Sequence, residues 1–272
     1  METKRPQILL SNDDGIQSPG LWAAAKALSA LGYVTIAAPR RQYSGAGRSI
    51  PIESDGRIEQ QTLQIGDQQW PAFAIGGSPA QAVMHGVLEL LPQKPDLVVS
   101  GINYGENIGN SIMISGTVGA AMEGASLGIP SLAVSLELKG TDYLAYSTAV
   151  DFNTAGYFAA YFARLLLQHQ MPADVDFLKV DVPAEATPQT EWVISRVSRT
   201  RYFMPTAARR GALHEDGAIG FYIEANGEHL ETDSDVYVLA HERKVSVTPL
   251  SLDNTSRVDL AALQQQWKGQ LG

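Results

Sequence analysis

The chain has 272 residues, 44% hydrophobic and 18% charged, with a formal net charge of −9 and no cysteine. That length can bury a large core, the negative charge disfavours a nucleic-acid polymer as partner, and the missing thiols exclude disulfides, thiolate zinc sites and cysteine nucleophiles. No apolar run reaches the roughly 18 residues of a membrane span, and METKRPQILLSND has too short an apolar stretch for a signal peptide, so a soluble cytoplasmic protein is expected.

Gln7 to Leu10 reads as a buried strand that runs into Asn12, Asp13, Asp14 and Gly15. Ser18 and Pro19 form an N-cap and first-turn pair for a helix with Leu21, Ala24, Ala25, Leu28 and Leu31 at helical spacing, which Gly32 stops. VTIAAP is a second strand and ends in RRQYSGAGRS; residues 50–76 suggest short strands or a hairpin. Ser78-Pro79 repeats the cap signature before the amphipathic helix QAVMHGVLELL, and PDLVVSG is another buried strand. A glycine-asparagine loop leads into a small-residue helix from Thr117 to Leu127, closed by Gly128 and Pro130. SLAVS is again a strand, and an aromatic-faced helix over 142–168 carries Tyr143, Tyr146, Phe152, Tyr157, Phe158, Tyr161 and Phe162.

Apolar strands alternating with helices predict an α/β fold with a mainly parallel sheet. After Pro183 the pattern changes: WVISRVSRTRYF, FYIEANGEH and KVSVTPL alternate like strands of an antiparallel arm, and SRVDLAALQQQWKGQL reads as a terminal helix. The expected organisation is an α/β core over 1–185 and a β-rich extension with a C-terminal helix over 186–272, of the kind that meets another subunit.

Three polar loops, SNDDG, RRQYSGAGRS and SGINYGENIGNS, each follow a predicted buried strand. In parallel sheets ligands sit beyond the carboxyl ends of the strands, so Asp13, Asp14, Ser44 and Asn103 are expected at one rim. A solvated turn would account for one aspartate. Two ionised carboxylates about 4 Å apart repel by roughly 4 kcal/mol at an effective dielectric of 20, which a cation would offset. Oxygen-only donors suit Mg²⁺ or Mn²⁺. In G101-I-N-Y-G-E-N-I-G109 the evenly spaced glycines and asparagines allow close backbone approach to a ligand and supply donors and acceptors. Ser115, Gly116 and Thr117 open a helix, where free amides can take an anion or the hydroxyl can serve as an ordinary cap.

Taken together, NDDG, S-G-A-G-R-S and PDLVVSGINYGENIG leading into SGTVGAAMEG resemble the SurE family over residues 8–135, and VSVTPL resembles its late strand. The resemblance implies a metal-dependent nucleotidase, a 5′-nucleotidase-like acid phosphatase that hydrolyses nucleoside monophosphates. It also implies a Rossmann-like core and a C-terminal arm exchanged within a homodimer or homotetramer. The family's metal ligands fall on Asp13, Asp14, Ser44 and Asn103, one divalent cation per subunit. Asp13 and Asp14 are then the expected catalytic residues, by metal-activated water attack or with Asp13 as a direct nucleophile. Asn12, Asn107, Ser115, Gly116 and Thr117 are the expected phosphate and substrate contacts. The chain departs from the family pattern at Gln81, Ile114, Lys179, Asp181, Arg243 and Lys244.

The five histidines lack i, i+4 metal spacing, the G-x-S-x-G elbow is missing, and Arg48 reads equally as a phosphate clamp or a rim residue. RYFMPTAARRG is expected to be solvated or intersubunit rather than a nucleic-acid patch. A non-catalytic nucleotide-binding module is the competing reading. A glycosyltransferase-like enzyme fits less well, because no D-x-D lies at the predicted rim.

Overall fold

The structure is a computed structural model, and it describes residues 5–65, 68–139, 147, 149–227 and 230–270. In chain order the strands are β1 (Gln7–Ser11), β2 (Tyr33–Pro39), β3 (Ile58–Ile65), β4 (Gln68–Ile75), β5 (Leu97–Tyr104), β6 (Ser131–Leu136), β7 (Phe177–Val182), β8 (Trp192–Ile194), β9 (Phe203–Thr206), β10 (Gly220–Ile223) and β11 (Val245–Leu250). Among the described residues nine of them form one sheet in the order β3-β4-β2-β1-β5-β6-β7-β11-β8, and β9 and β10 make a separate antiparallel hairpin. From β4 to β7 every neighbouring pair is parallel. The α/β reading with a mainly parallel sheet holds, and 50–76 supplies the antiparallel β3–β4 hairpin at one edge.

Helices cover both faces, as parallel strands buried on two sides require. They are α1 (Pro19–Leu28), α2 (Pro79–His85), α3 (Gly116–Ser126), α4 (Asn153–Gln168), α5 (Asp235–Ala240) and α6 (Leu260–Gln270). The main core packs α1 and α4 on the sheet through Leu21, Leu28, Phe158 and Phe162 against Ile8, Leu10, Val99 and Val134. A second cluster joins α2 to Leu9, Ala37 and Val98 on the other face.

Several elements differ from the sequence reading. The helix expected from 142 begins at Asn153, where the Asp151 carboxylate accepts the Asn153 amide at 2.8 Å. Residues 142–146 and 148, with Tyr143 and Tyr146, lie outside the described residues. Phe158 and Phe162 of the aromatic stripe pack in the core, while Tyr157 and Tyr161 face outward. Ser18 takes the N-cap conformation without its hydroxyl capping the helix, whereas Ser78 forms a full capping box with Gln81. The helix after Ser78 changes to a π-helical turn at Gly86–Leu90. VSVTPL, expected in the arm, is β11 within the main sheet, antiparallel to β7 and parallel to β8. Its alternating polar positions, Ser246 and Thr248, are buried and hydrogen-bond the Ser195 hydroxyl at 2.8 Å. The short α5 was not foreseen.

Candidate active site

The loops after β1, β2 and β5 converge at the carboxyl ends of the strands on a cleft of about 350 Å³. Its lining includes Asp13, Asp14, Ser44, Asn103, Asn107 and Ser115, so the four expected metal ligands and two expected substrate contacts share one cavity.

Because β1 is a central strand buried from Ile8 to Ser11, the two carboxylates that follow it are carried inside, at 6% and 3% exposure. Burial lifts Asp13 above the usual carboxylate value, opposed by the Thr117 hydroxyl and by the amides of Asp13, Thr117 and Gly116. Asp14 is pushed up to about 8, first by burial and then by the Asp13 charge, with the Tyr104 amide and Gln42 pulling the other way. Those two donors reach Asp14 at 3.2 and 3.1 Å. Two buried acids driven towards neutrality by desolvation and mutual repulsion are what a bound cation would reverse.

The neutral donors agree. The Asn103 amide nitrogen donates to the carbonyls of Gly105 at 2.7 Å and Tyr104 at 3.3 Å, which leaves its oxygen to offer to the cleft. Ser44 is exposed at the rim, in a loop tied down by Tyr43 N–H to the Asp13 carbonyl (2.8 Å) and Gly47 N–H to the Ile114 carbonyl (2.9 Å). Among the described residues no group of three or more His, Cys, Asp or Glu gathers to hold a metal. A cation here would therefore rest on two carboxylates and neutral oxygens, a set that fits Mg²⁺ or Mn²⁺, which retain several waters.

The helix N-terminus behaves differently from the expectation. The Thr117 hydroxyl donates to Asp13, and the Gly116 and Thr117 amides favour the same carboxylate. The anion that the start of α3 receives is Asp13 itself, and neither Gly116 nor Thr117 is in the cleft lining. A Cβ on Gly116 would sit 2.6 Å from the Asp13 Cβ, so only glycine allows this approach. Ser115 lines the cleft while its oxygen accepts the Val118 amide at 3.1 Å. Asn12 is also set apart: fully buried, it exchanges two 3.1 Å hydrogen bonds with Gly15, whose φ of +98° suits glycine, and it closes the turn instead of facing the cleft.

Asn107 is held from behind. Its backbone amide donates to Asp181 at 2.7 Å and its side-chain nitrogen to Ser135 at 2.9 Å. Asp181 belongs to a fully buried ion triad in which Lys179 pairs with Asp181 and, at 3.2 Å, with Asp235. Asp235 accepts the Gly109, Ser198 and Val236 amides, so the triad ties the glycine-asparagine loop to β7 and α5. Burial lowers the Lys179 pKa, but the two aspartates outweigh it and the net shift is upward.

The cleft also holds residues the sequence reading did not assign: Gln42, Ser111 and, from the distant hairpin region, Arg201, Phe203, Pro205, Ile219 and Phe221. Of the run RYFMPTAARRG, Arg201, Phe203 and Pro205 line the cleft and Tyr202 is buried behind it, while Arg209 and Arg210 are exposed, as expected of a solvated segment. Arg48 pairs with Glu123 at 2.6 Å and Ser126 at 2.8 Å on α3 and lies outside the lining.

A family model described as Survival protein SurE matches residues 8–204. The chain belongs to the SurE family. It is 40% identical over 263 residues to a protein named 5′-nucleotidase SurE from Thermococcus gammatolerans, covering 95% of this chain and 94% of that one. The protein of the same name from Thermococcus kodakarensis is 38% identical over 260 residues, with 95% and 97% covered. The crystal structure of the SurE protein from Aquifex aeolicus aligns with a TM-score of 0.75 at 30% identity, over 96% of this chain and all of that one.

The positions expected to depart from the SurE pattern have local surroundings of their own here. Gln81 completes the α2 capping box, accepts the Ser54 hydroxyl at 2.7 Å and donates to the Pro51 carbonyl at 3.0 Å. Lys179 and Asp181 form the triad, Arg243 pairs with Glu137 and Glu185, and Lys244 with Glu191 and Glu242. Ile114 stands half-exposed in the cleft lining.

Proposed function

We propose that the protein is a divalent-cation-dependent phosphomonoesterase that hydrolyses nucleoside monophosphates to nucleoside and phosphate, a cytoplasmic 5′-nucleotidase of the SurE type. The observation that carries the reading is the buried Asp13–Asp14 pair, sharing its cleft with the Ser44 and Asn103 oxygen donors. The names of the Thermococcus relatives support the substrate class.

Asp13, Asp14, Ser44 and Asn103 would hold one Mg²⁺ or Mn²⁺. When bound, the cation supplies charge neutralisation for the phosphate and makes an attacking water more acidic. The protein's own part is preorganisation. Thr117 and the α3 amides fix Asp13, while the Tyr104 amide and Gln42 fix Asp14, so neither carboxylate has to reorganise during the reaction. Asn107 spends one side-chain N–H on Ser135 and has a second to give a phosphate oxygen. The Ser115 oxygen accepts from Val118, leaving the hydroxyl proton to donate. Water oxygen bonds to phosphorus in line with the departing nucleoside oxygen, which leaves with a proton.

Among the described residues no helix is long and apolar enough to cross a membrane. Within the 186–272 extension, α6 buries none of its residues against the chain, and we assign it to contact with a second copy in a homodimer or homotetramer.

The test is phosphate release from a panel of nucleoside monophosphates after chelation, then with Mg²⁺ or Mn²⁺ restored, with Asp13→Asn alongside. Release that stops on chelation, returns with metal and is absent in the variant is expected. Nucleotide binding without release under either metal would leave the non-catalytic module in its place.

A further inference from the structure

The cleft lining divides chemically. It holds Asp13, Asp14, Asn103 and Asn107 from the loops of the main sheet, and most of its remaining surface is apolar, with Phe203, Pro205, Ile219 and Phe221 from β9, β10 and their connection. Phe221 is 53% exposed, a large fraction for an aromatic residue in a cavity wall. Phe203 meets it edge to face, with ring centroids 5.3 Å apart and planes at 87°. Phe203 in turn contacts Tyr202 at 4.9 Å and packs against the buried cluster of Ile108, Tyr202, Val236 and Leu239. The Glu224 amide closes onto the Tyr202 carbonyl at 2.8 Å. A half-exposed aromatic ring is thus held by its Phe203 neighbour and shares the cavity of the carboxylate pair.

We propose that Phe221, supported by Phe203, is the stacking platform for the base of a nucleoside monophosphate whose phosphate lies at the Asp13–Asp14 end. This assignment rests on the phosphomonoesterase reading of the cleft. A ligand with a phosphate end, met through the cation that Asp13 and Asp14 would hold, and with a flat apolar end matches both chemistries of the lining. A sugar phosphate would leave the aromatic surface wet, and a polyphosphate chain would find one basic residue, Arg201, among the described residues of the lining. Arg201 spends its Nε–H on the Phe203 carbonyl at 3.1 Å, and its terminal N–H groups remain to meet acceptor edges of base or sugar. Stacking uses the π-face that all bases share. The larger purine ring gains more from it than a pyrimidine.

The experiment compares adenosine 5′-monophosphate, uridine 5′-monophosphate and glycerol 3-phosphate as substrates of the Mn²⁺-loaded full chain, with Phe221→Leu and Phe221→Trp. Leucine keeps apolar volume and removes the π-face; tryptophan keeps both. In Phe221→Leu the ratio of kcat/KM for the adenosine ester over glycerol phosphate is expected to fall by roughly 5- to 100-fold. The fall should be carried by KM, smaller for the uridine ester, and reversed in Phe221→Trp. Calorimetric binding of adenosine 5′-monophosphate should weaken by the same factor. An unchanged ratio in a folded Phe221→Leu, or a tryptophan variant no better than leucine, overturns the platform. If the wild type binds the nucleotide but cleaves none of the three esters, the phosphomonoesterase reading falls, and the binding series alone decides the platform. If it binds none of them, both fall.

Discussion

Replacing Lys179 with methionine probes the buried triad that stands behind the candidate site. Lys179, Asp181 and Asp235 are each fully buried. Methionine fills similar volume without the charge, so two desolvated carboxylates lose the cation they share. Breaking one partner of a buried ion network costs about 3–5 kcal/mol. With an unfolding entropy of about 2.1 cal/mol/K per residue, a chain of this size should lose roughly 5–9 °C in Tm. The deficit also has a pH signature. Burial already raises Asp181 despite the neighbouring lysine, and without Lys179 its folded pKa rises further above the unfolded value. A carboxyl that holds its proton more tightly when folded loses stability as pH climbs from the unfolded pKa, about 4, to the folded one. The variant should therefore lie nearest to wild type at pH 4–5 and furthest from it at pH 8. Differential scanning calorimetry of both proteins across that range is the assay. A deficit below about 1 kcal/mol at pH 8, or one that does not change with pH, would refute the claim that Lys179 balances two buried charges.

Three further outcomes follow from separate features. Glu106 is buried and its pKa is pushed up to about 7, by burial first and then by the charges of Glu137 and Asp181. Its folded pKa exceeds the unfolded value, so the wild type loses stability between pH 4.5 and 7, and Glu106→Gln should gain over wild type at pH 8 by up to about 3 kcal/mol but not at pH 4.5, as thermal melts at the two pH values would show. Gly116→Ala places a methyl 2.6 Å from the Asp13 Cβ; it should cost about 1–3 kcal/mol in stability and roughly tenfold or more in kcat/KM for nucleotide hydrolysis. On α6, Leu260 and Trp267 are 55% and 59% exposed; Leu260→Ser with Trp267→Ser should shift sedimentation towards monomer and leave the main unfolding transition of dilute protein within about 0.5 kcal/mol.

The central strands were legible because parallel strands buried on both faces write themselves as short apolar runs. QILLS, LVVSG and SLAVS needed no partner information to be recognised. The residues at their carboxyl ends were legible for the same reason: a strand that must be buried fixes where its last side chains emerge, which brought Asp13, Asp14 and Asn103 to one rim. What could not be read depended on contacts far along the chain. VSVTPL looks like half-buried hairpin material until β7 and β8 pair with both its edges. Asn12 and Thr117 carry the same donors whether they face a ligand or a neighbour, and only the packed structure shows them turned to Gly15 and Asp13. Phe203 and Phe221 reach the cleft from a hairpin some 190 to 210 residues beyond the aspartates, a separation that periodicity cannot bridge.

The anchoring of the chain on either side of that hairpin separates two kinds of change. β8 precedes it and β11 follows it, and both are held in the main sheet. The hairpin is therefore a tethered excursion between two strands of the main sheet, and none of its residues belongs to the strands whose ends carry the carboxylates. On the reading proposed above, substitutions at Ile219 or Phe221 are expected to change which phosphoesters are accepted while Asp13 and Asp14 keep their partners Thr117, Tyr104 and Gln42. Substrate range and chemistry would then be carried by separate stretches of one chain.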